Sequence, residues 1–303
     1  MKKAWFVAYA ALVASVAPPP ASAEDLSGTL QKIKESGAIT IGYRETSLPF
    51  SYIDNSQKPI GFALDICDKI VDEVKATLKL DKLEVKLMPV SSATRIPLIG
   101  NGTIDLECAS STNNPERQKL VAFSPTYFLT ANRFVAKTSS AIKTIDDLKG
   151  KNVASTAGTT NIKQLFEANT SRQLGMTILT AKDNAEGFLM VETGRADAYV
   201  MDDILLAGLV ASSKSPSAYA ISADAFSSPE PYGIMLRRDD PAFKAAVDRA
   251  ATRLYTSPEM KTLYAKWFTS PVPPNNVNFN FPMTPVMEKA FAHPSDSGDP
   301  KSY

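Results

Sequence analysis

Runs that alternate like β-strands and stretches with helical spacing follow one another along most of this chain, and the alternation starts again near its midpoint. In the first half, Ala38–Gly42 reads as a buried strand closed by a glycine. Gly61–Leu78 then places Phe62, Ile66, Ile70, Val71 and Val74 at helical spacing. Leu83–Val90 and Ile104–Ala109 read as further strands around a short helix at Arg95–Gly100. In the second half, strands are expected at Arg133–Lys137, Asn152–Thr156, Thr177–Thr180, Ala198–Met201 and Ala218–Ser222. Helices are expected at Thr144–Gly150, Gly158–Glu167, Asn184–Thr193 and Asp203–Ser212. Pro231–Leu236 returns as one strand, and helices follow at Pro241–Tyr255, Pro258–Trp267 and Val286–Phe291. This order predicts two like-sized α/β units whose mainly parallel sheets are covered on both faces. In such sheets ligands sit beyond the carboxyl ends of the strands, which narrows the search for functional residues to the loops there.

The N-terminus bears on the compartment. Lys2 and Lys3 precede an apolar run from Trp5 to Ala17, a proline patch and Ala21-Ser22-Ala23. A basic start, a short apolar core and a small-x-small ending predict a secretory signal peptide, residues 1–23, cut before Glu24. The apolar run is shorter than the about 20 residues a membrane-spanning helix needs. No cysteine lies near the cleavage site to carry a lipid. Lys plus Arg number 33 against 32 for Asp plus Glu, without a basic stripe, so nucleic acid is not an expected partner.

Cys67 and Cys108 are the two cysteines, one early in a predicted helix and one in a predicted strand. In a secreted chain they either bridge or stay as buried thiols, and spacing does not choose between these. His293, the single histidine, falls in the C-terminal tail. A Ser-His-Asp triad, a Cys-His pair and the usual His-containing zinc sites are thereby disfavoured, and no phosphate loop or dinucleotide fingerprint occurs. Neither a metal nor a cofactor is expected.

Several strings occur in an order that resembles the bacterial periplasmic amino-acid-binding proteins, above all the glutamate/aspartate-binding members. They are Gly42–Tyr52, Gly61–Asp65, Arg95–Leu98, Asn101–Glu107, Ser110–Asn114 with Glu116-Arg117, Ala157–Thr160, Gly194–Asp197, Met201–Asp203 and Lys266–Phe268. They span almost all of the chain beyond residue 23. The resemblance implies a two-lobed, type II periplasmic-binding-protein fold: two mixed sheets flanked by helices and joined by a two-strand hinge. Lobe 1 would comprise residues 24–130 and 233–303, and lobe 2 residues 131–232, with crossings near Tyr127–Ala131 and Glu230–Gly233. It also implies a monomer that delivers an acidic amino acid to the permease subunits of an ABC transporter in the inner membrane.

The same resemblance assigns roles to residues, and each suits its chemistry. A buried charge needs a partner, and the planar fork of arginine donates two parallel hydrogen bonds to a carboxylate. Arg117 matches the α-carboxylate arginine, with Ser110 and Thr112 in the loop before it. A surface charge beside Glu116 and Lys119 is the alternative. Asp202 matches the ammonium-binding aspartate, with Asp203 as the cap of the following helix. Thr159 and Thr160 open a helix, either as an anion site or as a plain threonine cap. Arg44 and Arg95 match arginines that acidic-ligand members use for the side-chain carboxylate, against surface pairing with Glu45 or Asp105. Ser92 matches a further polar contact. Where glutamate/aspartate binders carry a histidine, this chain has Asn184, which donates a hydrogen bond without a positive charge. Phe50 and Tyr52 either wall the ligand or fill the lobe core. The competing functions are a cyclohexadienyl-type dehydratase on the same scaffold, with Glu45 and Glu107 as acid–base candidates, and a sensory binding protein.

Overall fold

A computed structural model of the chain describes residue 1 and residues 26–303. The expected signal peptide lies outside the described residues. Two five-stranded sheets dominate. The first runs in the order Glu84–Pro89, Ala38–Tyr43, Leu106–Glu107, Met235–Arg237 and Val121–Phe123. Its first three strands are parallel, and Met235–Arg237 pairs antiparallel with both neighbours. The second runs Thr177–Ala181, Asn152–Thr156, Ala198–Asp202, Asn132–Lys137 and Tyr219–Ile221. Again the first three are parallel and Asn132–Lys137 is antiparallel to its neighbours. Both sheets are therefore mixed, each with a parallel trio whose carboxyl ends carry the loops of interest.

The helix Phe62–Thr77 shows how the pattern becomes packing. Phe62, Ile66, Ile70 and Val74 recur every four residues, Cys67 stands beside Ile66, and all five are fully buried. Burying a large apolar side chain contributes roughly 1.5–3 kcal/mol, so this face holds the helix to the first sheet. Cys67 on the same face meets Cys108, which follows the strand Leu106–Glu107, and the two form a disulfide across 41 residues of sequence. Phe50 sits among Phe62, Phe128, Tyr232 and Phe268, with ring centroids 4.9–6.3 Å away. Phe50 is core. Tyr52 stands edge-on to Trp267 and donates to the Pro273 carbonyl at 2.7 Å, so it too belongs to the core.

The chain leaves the first sheet through Phe128–Thr130 and returns to it through Glu230–Tyr232, and these two segments pair antiparallel in a sheet of their own. The single strand expected at Pro231–Leu236 is thus two strands in two sheets, Glu230–Tyr232 and Met235–Arg237. The break falls at Gly233, where a Cβ would lie 3.1 Å from the Phe123 side chain. The short helix expected at Thr144–Gly150 contracts to a 3₁₀ turn at Asp146–Leu148. There Asp147 Oδ2 accepts from the Lys143 and Thr144 amides, competing with a regular helical turn.

Candidate ligand-binding site

Six parallel strands, three from each sheet, point their carboxyl ends at one gap. Arg44 follows Ala38–Tyr43, Ser92 and Arg95 follow Glu84–Pro89, and Ser110, Thr112 and Arg117 follow Leu106–Glu107. From the opposite side, Thr159 and Thr160 follow Asn152–Thr156, Asn184 follows Thr177–Ala181, and Asp202 ends its own strand. All ten residues singled out from the sequence line one cavity.

The three arginines are not surface groups: Arg44 is 3% exposed, Arg95 2% and Arg117 8%. Arg44 Nη1 donates to Ser92 Oγ at 2.5 Å, while its Nη2 has no partner among the described residues. Burial, reinforced by the neighbouring Arg95, pushes the Arg44 guanidinium down to about 10. Arg95 Nη1 donates to Ser111 Oγ at 2.5 Å and lies 3.5 Å from Glu107 Oε1, whereas its Nε is unpartnered. Glu107 Oε2 accepts from Ser111 Oγ at 2.6 Å, so a fully buried carboxylate and a hydroxyl hold Arg95 from behind. The alternative partner, Asp105, is instead bound to Lys32 at 2.8 Å.

Arg117 reaches both halves of the site. Its Nη1 donates to the Thr112 carbonyl at 2.9 Å and its Nη2 to the Gly158 carbonyl at 3.3 Å. Burial, with Arg95 nearby, pushes this guanidinium down to about 9. Gly158 permits the approach: its φ is +74°, and a Cβ there would lie 2.7 Å from Ala93 Cα. The two halves meet again where Thr112 Oγ1 and Thr160 Oγ1 are 3.3 Å apart, and where Asn184 Nδ2 donates to the Thr46 carbonyl at 3.1 Å.

On the second half, Asp202 is 3% exposed. Its carboxylate accepts from Asn161 Nδ2 at 2.8 Å and from the Tyr232 hydroxyl. Burial pushes its pKa up, and these two donors counter that shift by favouring the charged form. Asp202, not Asp203, occupies the cap position of the helix Asp203–Ser212, without a side-chain cap bond. Asp203 is the first helical residue, and its Oδ1 accepts from the Ile204 amide of the first turn and from Thr130 Oγ1, both at 2.7 Å. Thr159 is the cap of its helix, accepting from the Ile162 amide at 3.2 Å. Asn184 Oδ1 accepts from Tyr199 and Thr156 hydroxyls at 3.1 and 3.3 Å, which turns its amide donors toward Thr46 and the cavity.

Residues 39–270 match the bacterial extracellular solute-binding proteins, family 3. The chain belongs to that family. It is 48% identical to the L-glutamate/L-aspartate-binding protein of Pseudomonas aeruginosa over 94% of this chain and 95% of that protein. It is 44% identical to the glutamate/aspartate import solute-binding protein of Salmonella typhimurium, over 95% and 96% of the two chains. Among solved structures, an ancestral arginine-binding protein bound to arginine is 27% identical with a TM-score of 0.69, covering 77% of this chain and 98% of that one. An ancestral amino acid-binding protein, a precursor of cyclohexadienyl dehydratase, is 28% identical with a TM-score of 0.68, covering 79% and 99%. The fold is therefore the type II periplasmic-binding-protein fold of this family, with two lobes of mixed sheets flanked by helices.

Asn161, Met201 and Leu205 also line the cavity and escaped the reading of the sequence. Asn161 directly follows Thr160 in the first turn of the helix beyond Asn152–Thr156, and that position could have signalled it. Met201 and Leu205 are apolar residues on a strand end and the next helix, where a core role is the ordinary expectation. Glu45 and Glu107, the acid–base candidates of a dehydratase, do not line the cavity. Among the described residues no group of His, Cys, Asp and Glu is arranged to hold a metal ion, and no helix is long and apolar enough to cross a membrane.

Proposed function

We propose that this family 3 protein captures an acidic amino acid, glutamate or aspartate, and hands it to an ABC-type permease. The observation that carries the reading is an unmet pattern of buried charge. Among the described residues, Arg44 and Arg117 have no carboxylate within ion-pair distance, and Asp202 has no cation. Two guanidiniums and one carboxylate around one cavity complement a ligand with two carboxylates and one ammonium. Isolated buried charges are costly, so a partner of this pattern is favoured over a neutral or cationic side chain. The named relatives from two bacteria bind the same class of ligand.

In this reading Arg117 holds the α-carboxylate with Ser110, Thr112 and the helix opening at Thr159 and Thr160. Asp202 takes the ammonium. Arg44, Arg95, Ser92 and Asn184 hold the side-chain carboxylate, with Arg44 Nη2 and Arg95 Nε as the spare donors. Residues 24–130 with 233–303 and residues 131–232 act as lobes hinged at the Phe128–Thr130 and Glu230–Tyr232 pair. Ligand binds one lobe, the other closes, and the closed monomer is what the permease recognises in the periplasm, after removal of residues 1–23. The protein works by binding and not by turnover.

Calorimetric titration of the ligand-stripped protein with L-glutamate, L-aspartate, L-glutamine and L-asparagine tests the reading. Binding of the two acids alone is expected. Equal binding of the amides, or turnover of prephenate or arogenate, would overturn it.

A further inference from the structure

Charge around the cavity balances before any ligand enters. Three buried guanidiniums, Arg44, Arg95 and Arg117, face three buried carboxylates, Glu107, Asp202 and Glu230. An amino acid with two carboxylates and one ammonium adds a net negative charge to this enclosed set. Glu107 is committed to Arg95 and Ser111, and Asp202 is committed to the ammonium under the proposed function. Glu230 is left without a cation within ion-pair distance among the described residues.

Glu230 lies on the second crossing segment, just behind the cavity wall. Its Oε2 is 3.5 Å from both Thr112 Oγ1 and Thr160 Oγ1, one hydroxyl from each half of the site. Those hydroxyls accept as well as donate, so a proton on Oε2 has a receiver. Oε1 accepts from Gln164 Nε2. Gln164 Oε1 accepts from Asn132, and Asn132 Oδ1 accepts from Asn161 Nδ2, which also donates to Asp202. A continuous line of amides therefore joins Glu230 to the carboxylate beside the ligand. The charged and titratable groups around Glu230 are Asp202 at its strand end, Arg117 on the helix Pro115–Gln118, and Tyr232 on its own strand. Glu116, Lys163 and Glu167 line the cleft outside it.

We propose that Glu230 is a specificity-determining residue: it takes up a proton when an acidic amino acid is captured, and its protonated form selects a net-negative ligand over a zwitterionic one. The inference rests on the acidic-ligand reading above. Burial and the charge of Asp202 push Glu230 up to about 7 without ligand, and a further negative charge in the cavity moves it the same way. The sign follows from linkage. Where Glu230 is already protonated, below about 7, capture needs no proton. As pH rises above that value, capture must bring a proton along, and affinity falls by up to about tenfold per pH unit.

The full chain, freed of bound amino acid, is titrated with L-glutamate and L-aspartate from pH 6 to 8.5, in buffers of low and high ionisation enthalpy. Uptake approaching one proton per L-glutamate or L-aspartate bound is expected at pH 8. Glu230→Gln should abolish the uptake, flatten the pH profile and bind L-glutamate roughly tenfold tighter than wild type at pH 8.5. Absence of proton exchange in the wild type, or equal uptake in Glu230→Gln, would overturn the proposal. Should the variant not fold, Gln164→Leu, which removes the donor to Glu230 Oε1, decides: the fall in L-glutamate affinity should begin at higher pH, and an unchanged pH profile would overturn the proposal. A wild type that binds neither acid at any pH would instead bring down the acidic-ligand reading.

Discussion

The two halves of the cavity are built from the same parts, loops beyond a parallel trio of strands, yet they carry opposite chemistry. The half on the first sheet holds all three guanidiniums, and its frame is stiff. A disulfide ties its long helix to the loop after Leu106–Glu107, an aromatic cluster packs beneath, and Glu107 fixes Arg95. The half on the second sheet offers one carboxylate, a helix opening and amides: Asp202, Thr159, Thr160, Asn161 and Asn184. Under the proposed function, the first half decides which side chain is accepted. The second half recognises what all amino acids share and completes the enclosure. Concentrating like charges on the more heavily braced half has a physical logic, because mutually repelling guanidiniums need a frame that keeps them from moving apart.

Four substitutions break or sharpen that contrast. Arg117→Ala removes a charge that touches both halves, so binding of glutamate and aspartate alike should fall by about 10³-fold, the scale for stripping one partner from a buried charge pair. A loss no greater than that of Arg44→Ala would sink its assignment. Arg44→Ala removes a side-chain clamp only. We expect about 100-fold weaker binding of glutamate and aspartate in calorimetry, with the preference for the acids over their amides reduced, and an undiminished preference would erase the division between the halves. Gly158→Ala acts on closure, since the added Cβ meets the backbone of Ala93. Roughly tenfold weaker binding with an unchanged first lobe is expected, and scattering should show less compaction on ligand addition. Replacing Cys67 and Cys108 together by serine should cost roughly 2–4 kcal/mol of stability in denaturant unfolding. Affinity should stay within about twofold, because the bridge braces the frame and does not line the cavity. A large loss of affinity would show that the frame, and not the cavity-facing side chains, sets the recognition.

Much of this architecture was legible without coordinates because its signals are short in range. The spacing of Phe62, Ile66, Ile70 and Val74 needs only one helix to express itself. The loops beyond strand ends were found for the same reason, since a strand followed by a helix locates its own carboxyl end. Local readings failed where a neighbour in space overruled them. Asp203 has the chemistry of a cap, yet it sits one residue inside the helix, where its carboxylate is shared between the Ile204 amide and Thr130 from a distant strand. Pro231–Leu236 reads as one strand, yet its first part pairs with Phe128–Thr130 and its second with the first sheet, so it divides at Gly233.

Residue type and order alone determined the two α/β units, the ten polar and charged residues at strand ends, and the likeness to acidic amino-acid binders. Tertiary structure decided the Cys67–Cys108 bridge, the core role of Phe50, and the entry of Asn161, Met201 and Leu205 into the cavity wall. It also decided which charges pair, Arg95 with Glu107 and Lys32 with Asp105, and which do not. The reason is range. Propensity and periodicity act over a few residues, whereas a charge balance depends on side chains such as Arg44 and Glu230, which only the folded chain brings around one cavity.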